Sequence, residues 1–164
     1  MPGLKAPGTN VWQYSSNNSD AQKWLIQKNS DNTYSIISKG SGLYIDINAG
    51  QIKNGSNIQV YTGNGTNAQK FMLETLTTTN NKTIDNGTYA IKSAANTNYC
   101  IDVDAGSKND GANIQIYKYS GLDSQKFKIE YNKDGYYTIK AIHSSKAIDV
   151  YARAEISRDK CMAI

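Results

Sequence analysis

The chain has 164 residues, enough for one ordinary domain, but only 38% of them are hydrophobic, so its core must be economical. Twelve Tyr against two Phe and two Trp, among many Asn, Ser, Thr and Gly, suit short strands joined by polar turns better than long helices. The net charge of +4 comes from Lys residues scattered among Asn and Gly, without the basic stripe and interleaved aromatics of a nucleic-acid footprint, and no apolar run is long enough to cross a bilayer.

The N-terminal stretch MPGLKAPGTN lacks the charged and hydrophobic regions of a signal peptide. From residue 8 the chain reads as repeats of one unit. GTNVWQYSSNNSDAQKWLIQ (8 to 27) is a second half alone, a strand and a turn followed by a strand opening on QKW. Residues 31 to 74 are a complete unit of four short strands: TYSIIS, the Ile45 and Ile47 pair around Asp46, IQVY, and QKFML, with KNGSN and TGNGTN as turns. TLTTTNNKTIDN (75 to 86) breaks the spacing and reads as an insertion or linker. Residues 85 to 130 repeat the unit: TYAIKS, Ile101 and Val103 around Asp102, IQIY, and QKFKI. Residues 134 to 164 supply a first half and a little more, with Asp149 in the place of Asp46 and Asp102. The expected division is a partial repeat at 8–29, a repeat at 30–74, the linker at 75–86, a repeat at 87–131 and a partial repeat at 132–164. Alternation within the strands turns the apolar pair inward and sends the Asp outward, or sideways into a pocket.

Fixed spacing separates this pattern from shared composition. Asp46 to Gln59 and Asp102 to Gln115 are both 13 residues, Gln59 to Gln69 and Gln115 to Gln125 both 10, and Tyr14 to Gln22, Tyr61 to Gln69 and Tyr117 to Gln125 all 8. The fold class expected is all-β.

Hydrophobic-Asp-hydrophobic, then NG.N.Q.Y, then QKW (22 to 24) or QKF (69 to 71, 125 to 127), resembles the ricin B-type lectin repeat, over residues 8 to about 151. The resemblance implies a β-trefoil, three four-stranded repeats about a pseudo-threefold axis. The phase here is unusual: half a repeat, two whole ones and half a repeat. The front half completed by the back half makes a permuted trefoil, and the rival reading is a fragment spanning tandem trefoils. In either case we expect a single closed, monomeric body, since open barrel edges invite association.

A saccharide offers hydroxyls and one less polar face, which Asp, amide and Tyr can meet. The resemblance makes the Asp an acceptor of sugar hydroxyls, the third-strand aromatic a stacking ring, and the Gln two residues before it part of the pocket. Carried over, this gives Asp46, Gln59, Tyr61 and Gln69 in one repeat and Asp102, Gln115, Tyr117 and Gln125 in the next. A weak composite site combines Asp149, Tyr14 and Gln22; there Trp12 stands where the others have Gln. For Gln22, Gln69 and Gln125 the favoured role is structural, bonding the Asp and nearby turn amides, because buried polar groups must be paired. Trp24, Phe71 and Phe127 are expected in the core. Galactose-binding relatives often carry Asn before the Gln of QxW, where this chain has Ala21, Ala68 and Ser124, and the family's disulfide across the pocket is absent, Cys100 matching one half and Tyr119 falling near the other.

The leading expectation is therefore non-catalytic glycan binding, to galactose- or xylose-type sugars, by a lectin or carbohydrate-binding module of a larger extracellular or cell-surface protein. The alternative is a structural or protein-interaction trefoil that binds no sugar. An enzyme has little support: Glu74 and Glu130 lie far in sequence from the Asp sites, and no Ser/His/Asp or metal motif occurs. No cofactor, metal, nucleic acid or membrane insertion is expected. Cys100 reads as a small buried hydrophobe and His143 as a lone turn histidine.

Overall fold

A computed structural model describes residues 6–79, 83–132 and 134–151. The strands are β1 (Thr9–Tyr14), β2 (Trp24–Lys28), β3 (Tyr34–Ser38), β4 (Tyr44–Ile47), β5 (Ser56–Tyr61), β6 (Phe71–Thr79), β7 (Asn86–Ser93), β8 (Tyr99–Val103), β9 (Ile114–Lys118), β10 (Phe127–Tyr131), β11 (Tyr137–Ala141) and β12 (Ala147–Val150). Short 3-10 turns precede β2, β6 and β10 and follow β4 and β8. The tail of the last partial repeat and Cys161 lie outside the described residues.

Pairing closes two rings. Hairpins β2–β3, β6–β7 and β10–β11 join through β3–β6, β7–β10 and β11–β2 into a six-strand barrel without a free edge. Hairpins β4–β5, β8–β9 and β12–β1 cap it, meeting through β1–β5, β5–β9 and a bridge from Trp12 to Asn113. This is a β-trefoil. The first strand pairs with the last described one, so the third capping hairpin is assembled from opposite ends of the chain.

At the centre of the cap the same position of each repeat, in β1 and β5 and one residue before β9, supplies one Asn, and the three form a closed ring. Asn57 Nδ2 donates to Asn10 Oδ1 (2.9 Å), Asn10 Nδ2 to Asn113 Oδ1 (3.0 Å), and Asn113 Nδ2 to Asn57 Oδ1 (3.0 Å). Each amide both gives and accepts, so three polar side chains are satisfied where three strands converge. The Asn that reads in the sequence as turn residue is thus the fastener of the pseudo-threefold axis.

The core repeats threefold as well. Trp24, Phe71 and Phe127 are fully buried, with Ile36, Ile91 and Ile139 from the paired strands and Ile45, Ile101 and Ile148 from the cap. These β-branched and aromatic residues fill the inward face of short strands, which is how a chain of modest hydrophobic content makes a core. Trp24 also donates its indole N–H to the Ile148 carbonyl (3.1 Å), tying the N-terminal half-repeat to the C-terminal one. Burial pushes the Cys100 thiol up to about 12, so it stays protonated as a small apolar filler.

One sequence expectation needs adjusting. Residues 75–79 and 86 are strand rather than linker: Thr77, Thr78 and Thr79 pair with Thr88, Gly87 and Asn86, after an irregularity at Thr75, extending the β6–β7 hairpin. β-branched Thr favours an extended backbone, and the partner strand supplies hydrogen bonds that the sequence alone does not reveal. Gln13 breaks the threefold pattern of the core. It occupies the place of Val60 and Ile116, yet it is fully buried, donating to the Ser107 and Asn109 carbonyls and accepting from Ser144 Oγ.

Candidate functional site

Each Asp sits mid-strand in a cap hairpin, directly opposite the residue two before the Tyr: Asp46 faces Gln59, Asp102 faces Gln115, and Asp149 faces Trp12. The hydrophobic neighbours of the Asp point into the core, so the carboxylate points the other way, beneath the 3-10 turn that carries the Gln of QKW or QKF. All three carboxylates are nearly covered, with 5%, 6% and 6% of Asp46, Asp102 and Asp149 exposed. The Asp goes neither fully outward nor into the core.

The turn glutamine explains the cover. Gln69 Nε2 donates to Asp46 Oδ2 (3.0 Å) and to the Thr62 carbonyl (2.9 Å), while its Oε1 accepts the Asn64 N–H (2.9 Å). Gln22 does the same with Asp149 (2.8 Å), the Ser15 carbonyl (2.9 Å) and the Asn17 N–H (2.9 Å). In the third case Gln125 holds the Lys118 carbonyl and the Ser120 N–H, but Ser124 Oγ reaches Asp102 Oδ1 instead (2.8 Å). These glutamines are 1% to 2% exposed and lock the turn onto the strand. The strand-facing amides complete the set: Gln59 Nε2 donates to Asp46 Oδ1 (2.9 Å) and Gln115 Nε2 to Asp102 Oδ2 (3.1 Å).

Burial raises the proton affinity of Asp102 and of Asp149, opposed by Ser124 and Gln115 in the first case and by Gln22 in the second. The Trp12 N–H lies beside Asp149 and favours its charge, but it is buried without a completed hydrogen bond, a dipole contact rather than a bond.

The tyrosines are placed differently. Tyr61 and Tyr117 are each 41% exposed and Tyr14 is 38% exposed, so all three present a ring to solvent. Asp46 and Tyr61 line one open cleft of about 580 Å³, with Gln59, Asn48, Ala49, Gly50, Asn64, Thr66, Asn67, Ala68 and Ala95. The cleft has a buried acceptor at its base, an aromatic wall, and a rim of amides and one hydroxyl. Its Asn48-Ala49-Gly50 side depends on a tight reversal with Ala49 at φ 54° and Gly50 at φ 64°. A non-glycine residue in that region is strained by about 1 kcal/mol, held here by the surrounding fold.

Around Asp149 the surroundings are more aromatic. Trp12 stacks on Tyr14 (centroids 5.6 Å, 26° between planes) and meets Tyr151 edge-on (4.4 Å, 86°), Tyr151 standing where the first repeat has Asn48. Two amides of the cleft at Asp46 are thereby replaced by rings.

The geometry and the repeat pattern agree with comparison to known proteins. A family profile described as ricin-type beta-trefoil lectin domain-like matches residues 1–61, 20–86 and 67–159. The chain belongs to this ricin-type family. Among solved structures it is similar to the designed threefold-symmetric protein ThreeFoil, with a TM-score of 0.63 and 25% identity over 75% of this chain and 91% of that one. It is also similar to the Rhizoctonia solani agglutinin, with a TM-score of 0.58 and 23% identity over 75% and 78% of the two chains. An exo-beta-1,3-galactanase from Clostridium thermocellum matches at a TM-score of 0.58 and 21% identity, over 86% of this chain but 29% of that enzyme. No curated protein matches the chain in sequence.

For this ricin-type domain the structure brings Asp46, Gln59, Tyr61 and Gln69 together. Asp102 meets Gln115 and Ser124, with Gln125 next to Ser124 on the turn, and Tyr117 follows Gln115 two residues on along the same strand with its ring exposed. Asp149, Gln22 and Tyr14 also converge. Sequence reasoning missed Asn48, Asn64 and Asn67, which read as turn residues, and Ala95, which arrives from the next repeat. The only sequence signal of the three Asn positions is their constant offset from the Asp or the Gln, and Ala95 lacks even that, since the insertion shifts it relative to its counterpart His143.

Proposed function

We propose that this domain binds glycans without catalysis, through the cleft at Asp46 and its counterpart at Asp102. The observation that supports this reading most is that Asp46 and Tyr61 line the same open cleft, a carboxylate at the base and an exposed ring on the wall. Ring and acceptor serve the two faces of a pyranose: C–H groups rest on the phenol and adjacent hydroxyls donate to oxygen. Asp46 accepts two protein donors, fewer than the four lone-pair sites of a carboxylate, which leaves acceptor capacity for a sugar hydroxyl. The rim amides of Asn48, Asn64 and Asn67 add donors and acceptors that read hydroxyl geometry.

Such shallow sites bind weakly one at a time, and two on one rigid body gain by avidity on a polymer or cell surface. That use fits an extracellular module of a larger glycan-active or adhesive protein, taking galactose- or xylose-type sugars as a monomer. The Asp149 position, with Trp12 in place of an amide, offers less to hydroxyls and is the weakest of the three.

A second reading, a trefoil that serves only as scaffold or protein-interaction surface, draws on the near-complete cover of the carboxylates and their bonds to the turn glutamines. The two readings part at the tyrosines, because a scaffold has no need of three exposed rings at one repeat position. A glycan array on the purified domain, followed by calorimetry on Tyr61→Ala plus Tyr117→Ala, tests the proposal. We expect binding by the parent that the double variant loses while keeping its fold. A parent that captures no glycan leaves only the scaffold.

A further inference from the structure

The two complete repeats build the same turn beside their Asp but edge it with residues of different charge. The turn after each Asp has the same backbone, with Ala49 at φ 54° and ψ 17° and Ala105 at φ 52° and ψ 17°. Opposite it, a Cβ built on Gly50 would lie 4.0 Å from the Ala68 Cβ, and one on Gly106 would lie 4.0 Å from the Ser124 Cβ. The two frames therefore superpose, and residues at equal offsets occupy equal places. Asn48 and Asn67, both on the rim of the Asp46 cleft, correspond to Asp104 and Asp123.

Resting on the reading of these dishes as saccharide sites, we propose that the dish at Asp102 selects a cationic saccharide, one carrying a protonated amine, while the dish at Asp46 takes a neutral sugar. Two neutral amides of one rim have become two solvent-facing carboxylates in the other, above a third carboxylate at the base. Asp104 makes no ion pair among the described residues, and it is near enough to Asp102 to act on it electrostatically. Asp123 is held by Lys126 at 2.9 Å, so one rim charge is partly offset and the other is not. The opposite rim carries His143 in the place of Ala95: the Ala94 and Ile142 N–H groups make the same bond to the Lys70 and Lys126 carbonyls. The imidazole is anchored through Nε2 to the Ser107 carbonyl at 2.9 Å.

The ring of Tyr117, 41% exposed, supplies a platform for the sugar and adds cation–π attraction for an ammonium group. The domain as a whole carries a formal charge of +4, so it does not attract cations at long range. A preference for an amine must arise locally, at carboxylates within a few ångströms of the bound ring, where a single exposed charge changes affinity several-fold.

Calorimetry on the full chain decides the matter with two ligands of equal length, a glucosamine oligomer and its fully N-acetylated form, in a Tyr61→Ala background that silences the neutral dish. We expect the amine form to bind about tenfold tighter at low salt. Asp104→Asn plus Asp123→Asn, two exposed changes that copy the other rim, should abolish that preference. Equal affinity for the two oligomers overturns the proposal, as does a preference that the double Asn variant leaves unmoved. Oligolysine is the control. If it binds as tightly as the amine sugar and Tyr117→Ala weakens neither, the attraction is to charge alone and the proposal fails. Failure of the underlying glycan reading looks different, because the chain with Tyr61 intact then binds no saccharide, neutral or cationic.

Discussion

Gln69 and Asp46 are 23 residues apart in sequence and joined by a buried hydrogen bond of 3.0 Å. Through that bond the turn before β6 is pinned over the strand that carries the carboxylate. The same amide closes its own turn through Thr62 and Asn64. Replacing it by Ala strands a buried carboxylate oxygen, a carbonyl and an N–H. Gln69→Ala should cost about 2–4 kcal/mol of unfolding free energy, read as a lower urea midpoint at unchanged slope. A loss below about 0.5 kcal/mol would show that water replaces the amide and that the turn does not need it.

The asparagine ring makes a prediction about coupling. Asn57→Ala removes one donor and one acceptor and should cost about 1–2 kcal/mol. Asn10→Ala should cost a similar amount, but the double variant less than the sum, since both share one bond and the ring is already open after the first change. Strict additivity in a double-mutant cycle would contradict a cooperative ring.

Exposure separates the tyrosines from the fold. With Tyr61 at 41% exposure, Tyr61→Ala should leave the thermal midpoint nearly unchanged and weaken sugar binding at that cleft about tenfold. Tyr61→Phe should retain the affinity, because the ring and not the hydroxyl is the platform. A large stability loss in Tyr61→Ala would mark the ring as structural.

Acidification acts on this protein in two opposed ways. Asp110 and Asp123 are held below the ordinary carboxylate range, first by their bonds to Lys146 and Lys126, so their support is present at neutral pH and is lost as pH falls below about 3.8. Burial raises Asp102 and Asp149, so their folded forms bind protons more readily than the unfolded chain does. Their carboxylates oppose folding at neutral pH, and that opposition is relieved as pH falls through the raised values. Sugar binding that uses the ionised Asp102 should accordingly fade on acidification while pH is still above 3.8, before the fold itself weakens. Parallel calorimetric titrations and circular dichroism between neutral pH and pH 3 separate the two events. Coincident loss of binding and fold would refute this order.

The alternation of apolar residues around each Asp, the turn chemistry and the fixed offsets determined the repeat unit, the all-β class and the candidate residues of each dish. Those signals are local, and a strand of four or five residues writes them plainly. Nothing local told that Asn10, Asn57 and Asn113 meet, because their bonds join strands 47 to 103 residues apart. Nor did alternation show that the Asp lies under a turn, since a strand residue facing away from the core looks solvent-bound until another segment folds over it. That a turn glutamine bonds the carboxylate was legible in the repeat, but the tertiary structure alone decided that Ser124 takes this role at Asp102, and that Ala95 and His143 reach a dish from the neighbouring repeat. Sequence spacing fixes which face a side chain takes, but its company on that face is set by how three repeats close around one axis.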